Sequence, residues 1–241
     1  MIGIVVVSHS PALARAAVEV ALEMAAASPP PVRVAAGAAG GATGTDAVAI
    51  AAAIDEVASP DGVLVLMDLG SAVLSSGMAL EFVTTDAPVV LSAAPFVDGL
   101  IAAVVTAASG ADLATVDAEA TRALEAKAVQ LDRRDAVAPD ANPAAAEAEG
   151  ACSFEAVIRN ASGLHARPAA TFVKTAGLYD ARVTVTDLDS GSGPVSATSL
   201  ASLMALGVGQ GTRVRIEATG PQAAEAAGEL AELVAAGFGE L

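Results

Sequence analysis

Apolar and polar residues are arranged differently in the two halves of this sequence. In the first half the apolar residues come in unbroken runs: IGIVVV (2–7), GVLVLM (62–67), PVVL (88–91) and a shorter VRVA (32–35). Unbroken runs predict strands buried on both faces, as in a parallel sheet. The stretches between them are helical in pattern, over about 11–26, 45–58, 71–83, 96–108 and 112–130. Strand and helix in alternation predict an open α/β sandwich with a parallel sheet, a fold that binds ligands at the carboxyl ends of its strands.

The second half alternates. Val183 and Val185 are interleaved with Arg182, Thr184 and Thr186, and Val214 and Ile216 with Arg213 and Arg215. Period-two alternation predicts antiparallel strands with one wet face, in FEAVIRN, ARVTVTD and TRVRIEA. Helices are expected over about 166–177, 198–206 and 221–236; in the last, Ala223, Ala227, Leu230 and Val234 form one stripe. The expected architecture is a small α+β open-faced β-sandwich. Between the halves, residues 131–152 (LDRRDAVAPDANPAAAEAEGAC) lose periodicity and combine Pro, Ala and charge, which reads as a linker. The sequence therefore divides into domains 1–130 and 153–241 joined by 131–152, with no internal repeat.

Composition narrows the function. The chain has 241 residues, enough for a real core, and is 54% hydrophobic with only 2% aromatics. No apolar run reaches the roughly 18–20 residues of a membrane span, and no basic region precedes IGIVVV as in a secretory signal. A soluble cytoplasmic protein without a membrane partner is expected. The single Cys152 excludes an intramolecular disulfide framework, and one Cys with two His argues against a transition-metal site. The net charge of −16 argues against nucleic acid as a partner. Acidity at this level reads as solubility, or as steering toward basic protein partners.

Both histidines stand at the start of expected helices. His165 follows Gly163 and precedes ARPAATFVKTAG, with Pro168 in the first turn, where a missing N–H costs nothing. Free N–H groups and the positive helix end favour an anion there, and the planar fork of Arg167 matches phosphate oxygens. A neutral imidazole in that place is a competent nucleophile toward phosphorus; the competing reading is a capping or packing histidine. His9 ends the first apolar run, followed by Ser10 as N-cap and Pro11 as first helical residue. Asp68 ends the third run and would share the rim. Its carboxylate could hold one imidazole nitrogen as N–H and leave the other to attack, or it could simply begin a helix. In the glycine-rich 37–45, no lysine completes a P-loop. Gly44 and Thr45 remain candidates for phosphate contact, as do Ser10 and Gly163; Thr45 also reads as the N-cap of the helix that follows.

Residues 153–241 resemble the HPr phosphocarriers of the phosphoenolpyruvate-dependent phosphotransferase system, through GLHARPAATFVKTA, SLASLMALGVGQGTRVRIEATG and a closing FGE. The resemblance implies that Enzyme I phosphorylates His165 with help from Arg167. It also places Ser199 where many HPr proteins carry a regulatory serine, with Thr198 in place of the usual lysine; the alternative is a plain helix N-cap. Residues 1–130 resemble the mannose-type enzyme IIA family, and within it DhaM, the phosphoryl-donor subunits of bacterial dihydroxyacetone kinase. IVVVSHSPALA, GTDAVAI, VLVLMDLGSAVLSS and AAPFVDGLIAAVVTAASGADL carry that resemblance. It implies that His9 carries a phosphoryl group, that the N-terminal domain forms a homodimer, and that His9 serves ADP on DhaL, which works with DhaK.

The implied relay runs from Enzyme I to His165, to His9, and outward. Transfer from His165 to His9 could run within a subunit or between subunits. The phosphoryl group is carried covalently, so no cofactor is expected. Some DhaM proteins continue into an Enzyme I-like region, and the end at Leu241 is read as meaning a separate Enzyme I. The competing readings are a IIA–HPr component feeding a sugar permease, a regulatory protein whose phosphorylation state is a signal, and a purely structural α/β protein.

Overall fold

All six residues of β1 (Gly3–Ser8) are buried, and the side chains of Ile4 to Val7 enter two different cores in alternation. Ile4 and Val6 pack with Leu64 and Leu66 against alanines of one helical layer, and Val5 and Val7 pack with Val63 and Val65 against the other. That two-sided burial is the origin of the unbroken apolar runs. The computed structural model describes all residues except 26–27, 39–41, 136–151, 162 and 241.

In the first compact unit (Met1–Leu124), β1 is followed by α1 (Pro11–Met24), β2 (Val32–Ala36), α2 (Ala47–Val57), β3 (Val63–Met67), α3 (Gly70–Ala79), β4 (Val89–Leu91), α4 (Phe96–Ala108) and α5 (Leu113–Thr121). The sheet is wholly parallel, in the order β2-β1-β3-β4. α1, α4 and α5 cover one face, α2 and α3 the other. The chain leaves β1 for one side and returns to β3 on the other, so the β1/β3 carboxyl ends form a topological switch point, the usual ligand crevice of such sheets.

The structure corrects several local expectations. The N-cap of α2 is Asp46, which accepts from the N–H groups of Val48 (2.9 Å) and Ala49 (3.2 Å); Thr45 lies one residue outside and its hydroxyl is used elsewhere. α3 stops at Ala79 instead of reaching 83: a turn follows at 80–82, and Asp55 takes the N–H groups of Thr84 (3.0 Å) and Thr85 (2.9 Å) that a continuing helix would have used. The stretch 112–130 is two helices. α5 ends at Thr121 with Arg122 as its C-cap, and α6 (Ala123–Asp135) continues into the segment read as linker. α5 buries Val116 and Ala120, whereas none of the described side chains of α6 is buried, so no core holds the two on one axis. The rest of the linker, 136–151, lies outside the described residues.

In the second unit (Glu125–Leu241), β5 (Cys152–Val157), β6 (Arg182–Asp187), β7 (Val195–Ser196) and β8 (Arg213–Thr219) form an antiparallel sheet in the order β5-β8-β6-β7. α7 (Ala166–Ala176), α8 (Leu200–Leu206) and α9 (Ala223–Ala235) complete the unit. Val183, Val185, Val214, Ile216 and Ala218 are the buried positions of the alternating strands, and Phe172, Leu203, Leu230 and Val234 bury the helices. Ala223, Ala227, Leu230 and Val234 are the buried stripe of α9. β7, two residues long, is too short to leave a periodic signal.

Candidate functional site

His9 lies one residue past β1, and Asp68 one residue past β3. The parallel register of β1 and β3, continued by the Asp68 N–H to Val7 carbonyl bond (3.2 Å), brings the two residues together from 59 positions apart in sequence. Asp68 Oδ1 is 2.9 Å from His9 Nδ1, while Oδ2 accepts from the His9 backbone N–H (2.8 Å) and the Ser8 hydroxyl (2.9 Å). The carboxylate is thus saturated by one residue and its neighbour, and it is held in a fixed orientation. Burial pushes the Asp68 carboxyl up, but the bonds from the His9 backbone, the His9 ring and Ser8 outweigh it and hold the group below its usual value. An ionised acceptor at Nδ1 fixes the tautomer with the proton on Nδ1, leaving the Nε2 lone pair outward. Nε2 meets the Ser71 hydroxyl at 2.8 Å, in the first turn of α3. The His9 side chain keeps 19% exposure against 7% for Asp68, so the base is sheltered and one edge of the ring is open.

The other candidates near His9 already have protein partners. Ser10 is the N-cap of α1, accepting from the Leu13 N–H at 3.3 Å, with Pro11 as first helical residue. The Gly44 N–H donates to the His9 carbonyl (3.2 Å), and Gly44 has φ +153°, a backbone that favours glycine. Thr45 Oγ1 lies 2.7 Å from Ser75 Oγ. Sequence reading passed over Ser8, Ser71 and Ser75. Ser8 flanks His9 in SHS and could have been noticed; Ser71 and Ser75 lie in α3 with no local signal.

In the second unit His165 is the N-cap of α7 but makes no side-chain cap bond, which leaves the ring 40% exposed. Its Nε2 is 3.2 Å from Glu240 Oε2; among the described residues Nδ1 has no hydrogen-bond partner. Asn160 Nδ2 donates both to the Gly163 carbonyl (2.6 Å) and to Glu240 Oε2 (3.2 Å), linking the loop to the far end of the chain. Gly163 has φ +64°, and a Cβ there would lie 2.2 Å from the Val208 carbonyl oxygen, so this close approach excludes a side chain. Arg167 is exposed and Pro168 buried in the first turn of α7. Neither Asn160 nor Glu240 was singled out by sequence, since Glu240 is 75 residues from His165. Ser199 is buried as N-cap of α8, accepting from the Ser202 N–H at 3.1 Å.

Two family models match the chain. Residues 3–117 match the PTS system fructose IIA component, and residues 152–236 match the PTS HPr component phosphorylation site. The chain joins a IIA-type domain to an HPr-type domain. His9 lies in the IIA-type domain and His165 in the HPr-type domain. The whole chain is 38% identical over 244 residues to the PEP-dependent dihydroxyacetone kinase phosphoryl donor subunit DhaM of Escherichia coli (strain K12), covering 51% of that protein. It is 37% identical over 245 residues to DhaM of Klebsiella michiganensis, again covering 51%. The chain thus spans about half the length of the curated relatives it matches. The crystal structure of HPr-C-His from Thermoanaerobacter tengcongensis is 38% identical, covering 37% of this chain and 98% of that one, with a TM-score of 0.35. Among the described residues, no helix is long and apolar enough to cross a membrane, and no three metal-ligating side chains cluster.

Proposed function

We propose that this chain is a phosphoryl relay. His165 accepts a phosphoryl group from Enzyme I of the phosphotransferase system, His9 receives it from His165, and His9 delivers it to ADP held on DhaL, which with DhaK phosphorylates dihydroxyacetone. The chain is then the phosphoryl-donor part of a PEP-dependent dihydroxyacetone kinase, a cytoplasmic phosphotransferase component. It pairs into a homodimer through its IIA-type domain and carries the phosphoryl group covalently without a cofactor.

The observation that carries the reading is the clamp on His9: Asp68 at Nδ1, and an outward Nε2 beside Ser71. In the transfer, the Nε2 lone pair attacks phosphorus and forms a new N–P bond. The N–P bond of phospho-His165 breaks, and its electron pair returns to the His165 ring. His9 keeps its Nδ1 proton, and the ionised Asp68 balances the positive ring that results. The Ser71 hydroxyl, at rest a donor to Nε2, turns to a phosphoryl oxygen. At His165, Glu240 occupies Nε2, which favours Nδ1 as the carrier nitrogen at the positive end of α7, with Arg167 two positions on. Leu69 and Leu74, exposed at 60% and 73% on either side of Ser71, make the rim of the IIA-type domain apolar, as suits docking of a protein rather than a small solute.

The test uses labelled phosphoenolpyruvate, Enzyme I, the wild-type chain, and His9→Ala and His165→Ala variants. Label is expected in wild type and in His9→Ala but not in His165→Ala, and DhaL with ADP should discharge the wild type. Uptake at His9 by His165→Ala as fast as by wild type would overturn the order of the relay; no uptake at all would overturn the relay itself.

A further inference from the structure

Three hydrogen bonds, one peptide link and one helical turn close a circuit around His9. From Nε2 the path runs to Ser71 Oγ (2.8 Å), then along one turn of α3 to Ser75, whose side chain shares a helix face with Ser71. Ser75 Oγ meets Thr45 Oγ1 (2.7 Å), and Thr45 is bonded in sequence to Gly44, whose N–H returns to the His9 carbonyl (3.2 Å). The imidazole and its own backbone are the two ends of this loop.

The circuit answers a weakness in α3. Leu69, its N-cap, makes no side-chain cap bond, so the polar anchor at that end is Asp68 one residue earlier, which holds the chain before the helix and not the face that α3 turns toward His9. Leu74 and Val73 are exposed, and the buried face of α3 consists of three small side chains, Ala72, Ser76 and Ala79. Small side chains give the buried face little shape to key its rotation, and a shift of a few tenths of an ångström weakens a hydrogen bond as geometry-dependent as that from Ser71 to Nε2. A lateral anchor is needed on the polar side, and the Thr45–Ser75 pair stands there.

We propose that Thr45 and Ser75 are positioning residues for His9, holding α3 so that the Ser71 hydroxyl stays in register with Nε2. This rests on the reading of His9 as a phosphoryl carrier for its consequence in transfer, but the positioning exists in the unphosphorylated protein. Thr45 therefore acts through Ser71 and need not touch the phosphoryl group.

The experiment follows the His9 imidazole by 15N NMR in the full chain, alongside the rate of label transfer into His9. The variants are Thr45→Val, Ser75→Ala, Ser71→Ala, Thr45→Ser and the double Thr45→Val/Ser71→Ala. Thr45→Val and Ser75→Ala are expected to move the Nε2 resonance in the direction Ser71→Ala moves it, and Thr45→Ser to restore it. Transfer into His9 should slow about three- to tenfold in Thr45→Val, the scale of one neutral hydrogen bond. In the Ser71→Ala background Thr45→Val should add no further loss, since both changes remove the same contact. Additive losses, or an unmoved Nε2 resonance in Thr45→Val and Ser75→Ala, would overturn the positioning role. If one variant fails to fold, the other decides. If wild type takes no label at His9, the proposed function falls, while the Nε2 resonance still decides the positioning.

Discussion

At the scale of single residues, Asp68 is the group on which His9 depends. Asp68→Asn removes the charge that fixes the Nδ1 proton and, in the proposed relay, balances the phosphorylated ring. Label entry into His9 is expected to fall about a hundredfold, the scale of a lost electrostatic stabiliser, while labelling of His165 stays at the wild-type rate. The same carboxylate makes the IIA-type domain acid-sensitive. Its folded-state value lies below the ordinary 3.8, so its contribution to folding is complete above that value and is lost as pH falls through the lowered one. Urea midpoints of wild type should drop, as pH falls below the ordinary 3.8, by more than those of Asp68→Asn. His9 and Asp68 were legible as a pair because each ends an unbroken apolar run, and parallel strands put such ends on one rim. Ser71, Ser75, Asn160 and Glu240 were not legible. Serines in an α3 sequence like GSAVLSSGMA look alike until the sheet decides which face meets His9. Glu240 reaches His165 only when a whole domain has folded between them.

At the scale of elements, the backbone around α7 is more constrained than its side chains. Gly163→Ala would meet a carbonyl oxygen at 2.2 Å and demand a left-handed backbone, so a loss of about 1–3 kcal/mol or more is expected for the HPr-type domain, read from its denaturation midpoint. The N-cap of α8 gives a milder case. Ser199→Ala should cost about 1 kcal/mol, and Ser199→Asp, which keeps an acceptor for the Ser202 N–H, should recover most of it. The strands themselves were readable, since burial on two faces or one gives unbroken runs or alternation. Helix ends were less so. Thr45 and Asp46 are both good caps, and the choice fell to the residue whose carboxylate reached two N–H groups while the Thr45 hydroxyl found Ser75. The break after α5 has no Gly or Pro to announce it; it falls where the buried face stops.

At the scale of the whole molecule, the proposed relay joins two carriers in one chain, which raises the concentration of each as seen by the other. Transfer from His165 to His9 in the intact chain is expected to be nearly independent of dilution. With residues 1–130 and 153–241 supplied as separate chains, the initial rate should rise in proportion to concentration; quench-flow measurement of labelled His9 at several dilutions distinguishes the two. A last consequence follows from the way Asp68 blocks one edge of the His9 ring. With Nδ1 closed, the phosphoryl group must arrive and depart through the same nitrogen. Donor and acceptor then share a single doorway and cannot stand in it together. Under the proposed relay they take strict turns: with residues 153–241 supplied as a separate donor, double-reciprocal plots should run parallel at low acceptor, and excess unphosphorylated acceptor should steepen them by competing with the donor.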